Sequence, residues 1–257
     1  MTLTLGTYLL VCPLIFLGGF IDSIAGGGGL ITLPAYYLAG LPPSLAGGTN
    51  KLSAFSGTAI STARFAARGL IHWKQGAASL LGAFPGAAFG AFLLTLVPAA
   101  YAKLGILLAL PLVAVVVLRN RSLEPRPALV PPRLTLPACF AIGLVIGVYD
   151  GLVGPGTGTF LLLAYLTLMG DSALTANGTA KLVNLGTNLG SLISLILTGN
   201  VLFALALPAA AFGIAGNYLG ASLAMKKGAP FIRVLLLVVL GLLMVKLLAD
   251  AVPALMK

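Results

Sequence analysis

The sequence predicts an all-α fold: a polytopic helical membrane protein of two homologous repeats, each with about four long helices plus one short broken helix. Three observations carry this. The chain has 257 residues, 59% of them hydrophobic and only 8% charged, too few charges to cover the surface of a soluble domain of this size. Apolar runs at 104–118 and 234–248 approach the ~20 residues that cross a bilayer. The chain also contains a second copy of itself. GGFIDSIAGGGGLITLP, from Gly18, returns as IGVYDGLVGPGTGTFLL, from Ile146. Asp22 aligns with Asp150, Gly26 with Gly154 and Gly28 with Gly156. After a two-residue insertion, AGGTNKL from Ala46 matches ANGTAKL from Ala176. The match continues through Gly69 and Gly199, Trp73 and Phe203, Gly86 and Gly216, Gly90 and Gly220, and Lys103 and Arg233.

Repeat one occupies 1–118. Its first long helix spans about 7–24 and ends at the glycine run Gly26 to Gly29. An apolar piece at about 30–39 follows, too short to span alone at 1.5 Å per residue. Leu41-Pro-Pro-Ser44 reads as a turn opening a helix, with proline preset for the first turn and serine able to cap. That helix, about 44–66, is rich in Ser, Thr, Gly and Asn, which suits packing and a polar lining rather than lipid contact. The next, about 76–96, carries Gly82, Gly86 and Gly90 at every fourth position, a face for close helix approach. A Leu/Val-rich helix at about 101–118 ends the repeat. Residues 119–133 are basic and proline-rich and read as a cytoplasmic linker. Repeat two, 134–257, follows the same plan: a long segment to 153, a break at Gly154-Pro-Gly-Thr-Gly158, a short piece to 168, and helices at about 173–197, 202–225 and 231–248. The two repeats form one functional domain.

The net charge is +10. In so apolar a chain it reads as orientation signal in the loops rather than as a nucleic-acid surface. Arg64, Arg68 and Lys74 make the loop after the second long helix of repeat one basic, whereas its counterpart, Thr198 to Leu202, is neutral. Lys226, Lys227 and Arg233 precede the last helix of repeat two, where repeat one carries one charge. With basic loops in the cytoplasm, the repeats are inverted and both chain ends lie outside. Parallel repeats with both ends inside are the competing arrangement. The absence of a basic stretch before the first apolar run argues against a cleaved signal peptide. Cys12 and Cys139 read as small packing residues. His72 and Trp73 read as interfacial anchors, and Glu124, Asp171 and Asp250 as solvated.

Paired glycine breaks at membrane depth are the signature of a transporter with its site at the repeat interface. A helix that restarts after such a break aims its N–H groups and positive dipole end at the gap. Gly26, Gly27, Gly28 and Gly29, with Gly154, Gly156, Thr157 and Gly158, are therefore candidate anion cradles; close packing is the alternative. Asp22 and Asp150 precede the breaks by four residues. An intramembrane carboxylate is costly and is retained for function or pairing, so both are candidates for coupling transport to protons and equally for structural bonds. Lys51 and Lys181 lie in otherwise uncharged stretches and read as cavity cations that pair with Asp22 or Asp150 or meet an anionic substrate, with snorkelling as the alternative. Thr49, Asn50, Thr179, Asn184 and Asn188 add donors, and Asn184 and Asn188 share a helix face. No metal-ligand pattern, phosphate loop or nucleophile–base set is present, and no cofactor or enzymatic role is expected.

The run GGFIDSIAGGGGLITLPAYYLAGLPPSLAGGTNKLSAFSGTAISTARFAARGLIHWK, with GVYDGLVGPGTGTFLLLAYLTLMGDSALTANGTAKLVN, resembles the TauE/SafE sulfite exporter family, also called the TSUP permeases. The resemblance implies an inner-membrane permease of a bacterium or archaeon that moves small sulfur-containing anions: sulfite, thiosulfate or organosulfonates. Its partners would then be a small anionic substrate, the lipid bilayer and protons as coupling ion; homo-oligomer formation is left open. The chain departs from internal symmetry at Gly-Pro-Gly-Thr-Gly, opposite an all-glycine turn, and at Thr-Ala-Lys, opposite Thr-Asn-Lys. The two half-sites are therefore expected to be non-equivalent. An uncoupled anion pore, or a carrier of another small organic anion, is the alternative.

Overall fold

The computed structural model describes residues 3–97 and 127–255. The expected helix at 101–118, Lys103, Glu124 and residues 119–126 of the linker lie outside this range. The described chain is helical: α1 (Leu5–Ala25), α2 (Gly29–Leu38), α3 (Pro43–Ala67), α4 (Trp73–Leu96), a 3-10 turn (Pro132–Leu134), α5 (Thr135–Leu152), α6 (Thr157–Leu168), α7 (Ala173–Leu197) and α8 (Phe203–Leu255). The order long, short, long, long occurs twice. The separate helices expected at about 202–225 and 231–248 are both present in α8, which divides into two at Gly228, whose φ of 70° is not helical.

Among the described residues, five helical segments are long and apolar enough to span a membrane: Leu5–Ala25, Trp73–Leu96, Pro132–Leu152, Ala173–Leu197 and Phe203–Leu235. The helix α3 has the length but is too polar, because its Ser, Thr, Asn and Lys side chains face the protein interior. The short helices α2 and α6 start inside the bundle, at the two glycine breaks.

Glycine spacing sets the packing. On α4, the Cα atoms of Gly82, Gly86 and Gly90 lie against the backbone of Phe140, Leu144 and Val148 of α5; in return, Gly143, Gly147 and Gly151 of α5 lie against Ser79, Ala83 and Ala87. Two small-residue faces meet, so the helices approach to backbone contact. In the same way Gly216 and Gly220 of α8 receive Phe16 and Phe20 of α1, and Gly213 of α8 faces Ser53 of α3. Residue numbers rise together in each of these pairs, so the helices are parallel. Gly186 and Gly190 of α7 also rise with Leu80 and Phe84 of α4.

Among the described residues two three-helix groups result: α1, α3 and the part of α8 before Gly228 run one way, and α5, α4 and α7 run the other. The opposition is fixed by α3 and α7, where Phe65 meets Gly178 and Thr58 meets Asn188. Helices that the sequence match pairs (α1 with α5, α3 with α7, α4 with α8) therefore run in opposite directions. Each group takes two helices from one half of the chain and one from the other. Arg64 stacks on Tyr218, 4.0 Å from the ring centroid. This contact sets the last turn of α3 against the part of α8 that leads to the Gly228 break, beside the start of α4, so Arg64, Arg68, Lys74, Lys226 and Lys227 share one end of the bundle. The loop Thr198 to Leu202 lies at the other, neutral end.

Candidate anion site at the crossed ion pairs

The two glycine breaks touch. A methyl group on Gly26 would run into the backbone of Gly158 and Thr159, and one on Gly29 would come within 3.3 Å of Pro155 Cα. Gly26, Gly27, Gly154 and Gly156 have φ between 74° and 90°, a region where side chains are strained. The sequence can therefore turn here at both breaks and bring four helix ends to one place.

The lysines cross between the halves. Lys51 of α3 pairs with Asp150 of α5 at 2.6 Å. Lys181 of α7 pairs with Asp22 of α1 at 2.8 Å and also reaches the Asp22 carbonyl. All three of Lys51, Asp150 and Lys181 are buried, Lys181 completely. A second bond joins Lys51 Nζ to Asn188 Oδ1 at 3.2 Å, and Asn188 Nδ2 donates to Thr58 Oγ1 at 3.3 Å. Thr157 Oγ1 lies 2.7 Å from both Asp150 Oδ1 and Gly154 O. The N–H of Gly28 donates to Asp22 Oδ1 at 3.2 Å. Each carboxylate is thus held by a lysine from the other half and by its own glycine turn or restarting helix.

A cavity of about 80 Å³ lies against these pairs, room for a few waters or one small oxyanion. Among the residues expected at the site, Asp22, Gly27, Gly28, Gly29, Asn50, Lys51, Asp150, Gly154, Gly156, Thr157, Gly158, Asn184 and Asn188 line it. Gly26, Thr49, Thr179 and Lys181 do not. Gly26 packs on Gly158. Thr49 Oγ1 donates to Leu45 O and accepts from the Leu202 N–H. Thr179 Oγ1 accepts from the His72 N–H. The lining runs toward the neutral end, where Pro43 begins α3 and Leu94 and Leu195 lie in the last turns of α4 and α7. Three polar residues that sequence reading does not single out belong here. Asn217 lines the cavity between Gly19 and Gly57, and Asn177 and Thr159 bind the end of α1. Their only signal is departure from the internal match, since Ala87, Gly47 and Ile31 hold the equivalent positions.

At the basic end, Asp171 is a correction. Read as solvated, it is 5% exposed and pairs with His72 Nδ1 at 2.9 Å. The turn between α6 and α7 folds it under the α3–α4 loop. Burial pushes its carboxyl above the ordinary range, and His72 pulls it part of the way back.

Residues 11–247 match the family model described as Sulfite exporter TauE/SafE. The chain belongs to this family. A probable membrane transporter protein, ORF9, of Sinorhizobium sp is 39% identical over 239 residues, covering 91% of this chain and 90% of the relative. The probable membrane transporter protein YfcA of Escherichia coli K12 is 33% identical over 261 residues, covering 96% and 95%. A probable membrane transporter protein of Haemophilus influenzae is 32% identical over 239 residues, covering 91% and 92%. No solved structure matches the chain. With its spanning helices, this TauE/SafE member is a multi-pass transporter of the inner membrane.

Proposed function

We propose that this TauE/SafE member carries a small sulfur-containing anion, such as sulfite, thiosulfate or an organosulfonate, with a proton as coupling ion. The observation that carries the reading is Lys51. It is a buried ammonium at the wall of the cavity beside the two glycine breaks, and two of its three N–H donors have partners among the described residues. An anion of two or three oxygens would take the remaining donor and the free N–H groups where α2 and α6 restart, with Asn184 and Asn188 alongside.

Asp150 competes with that anion for Lys51. While ionised it neutralises the ammonium; a proton on Asp150 removes the competitor and leaves Lys51 to the ligand. Anion and proton then bind together, and the pair carries less net charge than the anion alone. The basic end of the bundle faces the cytoplasm in this reading, so the cavity leads outward. Against an inside-negative potential each uncompensated negative charge costs about 2.3 kcal/mol per 100 mV on entry and gains as much on exit.

The test is flux of labelled sulfite into proteoliposomes, with sulfate, thiosulfate, sulfoacetate and sulfolactate as competitors and with an imposed pH gradient. Saturable flux that follows the gradient is expected. Flux indifferent to pH would remove the proton. Large unitary currents in a planar bilayer would make the protein a pore.

A further inference from the structure

The backbone at the first glycine break is held by side chains from the other half of the chain, whereas that of the second is held by its own, with Tyr149 Oη donating to Pro155 O and Thr157 Oγ1 to Gly154 O. The last carbonyls of a helix have no partners within it. At the end of α1 the Gly26 N–H donates to the Asp22 carbonyl, and side chains from the other half of the chain reach all four of the last carbonyls. Lys181 Nζ reaches the Asp22 carbonyl. Asn177 Nδ2 donates to Ser23 O at 3.1 Å and to Ile24 O at 3.0 Å, and Thr159 Oγ1 donates to Ala25 O at 2.9 Å. All three donors are completely buried and none lines the cavity. The equivalent positions at the second break are Gly47 for Asn177 and Ile31 for Thr159, which have no side-chain donor. Among the described residues, no side chain donates to the carbonyls of Gly151, Leu152 or Val153, and all three of these residues line the cavity instead.

Matched in sequence, the two ion pairs are therefore unequal in setting. Lys51 and Asp150 face the cavity on its way to the neutral end. Lys181 and Asp22, backed by Asn177 and Thr159, close the way toward the basic end. We infer that Lys181, Asn177 and Thr159 form, with Asp22, the shut gate on the basic side. Their bonds hold the carrier in the state whose cavity leads to the neutral side. Lys181 is then a positioning residue that works on α1, and Lys51 is the lysine the anion meets. Opening the basic side means drawing α7 and α6 away from the end of α1 and breaking all of these bonds. Removing a gate bond shifts the population toward the other state without touching the ligand's own contacts. The inference rests on the carrier reading of the site.

Cysteine labelling tests it without any substrate. In a background with Cys12 and Cys139 replaced by alanine, Ala54→Cys reports on the cavity wall and Ala25→Cys on the gate. With the gate intact, a small charged thiosulfonate should label Ala54→Cys and leave Ala25→Cys unreacted. Adding Lys181→Met should speed labelling of Ala25→Cys by about tenfold or more and slow that of Ala54→Cys, a reciprocal change expected of a shifted two-state equilibrium. If Lys181→Met proves poorly folded, Asn177→Ala, which removes two bonds and no charge, replaces it. Unchanged rates at both reporters in a folded variant would overturn the gate. So would loss of sulfite binding in Lys181→Met with labelling unchanged, which would make Lys181 a ligand. Because labelling needs no anion, a wild-type protein that binds none of the sulfur anions would fail the functional reading and leave this result to stand or fall alone.

Discussion

Lys51 and Asp150 lie 99 positions apart in the chain and meet at 2.6 Å, while their sequence equivalents, Lys181 and Asp22, meet at 2.8 Å. Each half of the chain supplies the cation for the other half's carboxylate. Both pairs join the group of α1, α3 and α8 to the group of α4, α5 and α7, so relative movement of the groups must stretch them.

Removing one partner of a buried pair strands the other charge and costs about 3–5 kcal/mol, whereas removing both is often tolerated. Lys51→Ala should therefore lower the thermal midpoint and abolish anion flux. Lys51→Met with Asp150→Asn should recover much of the midpoint and none of the flux. Thermal melts and proteoliposome uptake on the same preparations check this. Recovery of flux in the double variant would show that the ammonium does not hold the anion.

The close approach of Gly26 and Gly158 gives a second expectation. Alanine at Gly26 meets two penalties, a left-handed φ of 74° and the backbone of the other break. Alanine at Gly69 meets only the first, because nothing lies within 4 Å of its Cβ position. Gly69→Ala should cost about 1 kcal/mol and yield folded protein. Gly26→Ala should force the breaks apart and yield little monodisperse protein on size exclusion.

Much of this arrangement is legible in the sequence, for a physical reason. Charges and glycines are expensive in an apolar helix, so Asp22, Asp150, Lys51, Lys181 and both breaks stand out against their surroundings. The short helices, expected at about 30–39 and after Gly158, appear as Gly29–Leu38 and Thr157–Leu168. Pairing is not legible in the same way. An internal match says which residues are equivalent and nothing about which ones touch, and the crossed pairs follow from helix directions set by glycine contacts. Asn177 and Thr159 show in the sequence only as departures from the internal match, because their bonds to the end of α1 have no counterpart at the second break. Asp171 reads as solvated because a polar loop residue usually is, and only the fold shows the α3–α4 loop lying over it.

The glycine faces between α4 and α5 yield a third expectation. Gly147 Cα sits against Ala83, and a Cβ there would come within 2.9 Å of Ala83 Cα. Helices this close gain their affinity from packing, since lipid is as apolar as they are. Gly147→Leu should separate α4 from α5 and displace Asp150, which lies one turn further along α5. The expected result is a lower melting midpoint together with weaker sulfite protection. Alanine at Gly69, far from this face, is the control.

The pair of His72 and Asp171 makes stability depend on pH, and the sign follows from the direction of the shift. The Asp171 carboxyl is raised in the folded protein, mainly by burial and less the relief from His72. A raised acid binds its proton more tightly when folded than when unfolded. Its contribution is full below the ordinary carboxylate range and is lost as pH rises through the raised value. His72→Ala removes the opposing influence and leaves the Asp171 carboxylate buried without this partner, at about 1–3 kcal/mol once ionised. The variant should therefore melt close to wild type at pH 4 and below it at pH 7.5. Asp171→Asn, which cannot ionise, should flatten the difference in both backgrounds. Melts across that range check the sign directly, and a His72→Ala deficit that is larger at pH 4 than at pH 7.5 would show that the imidazole acts otherwise than by holding this carboxylate.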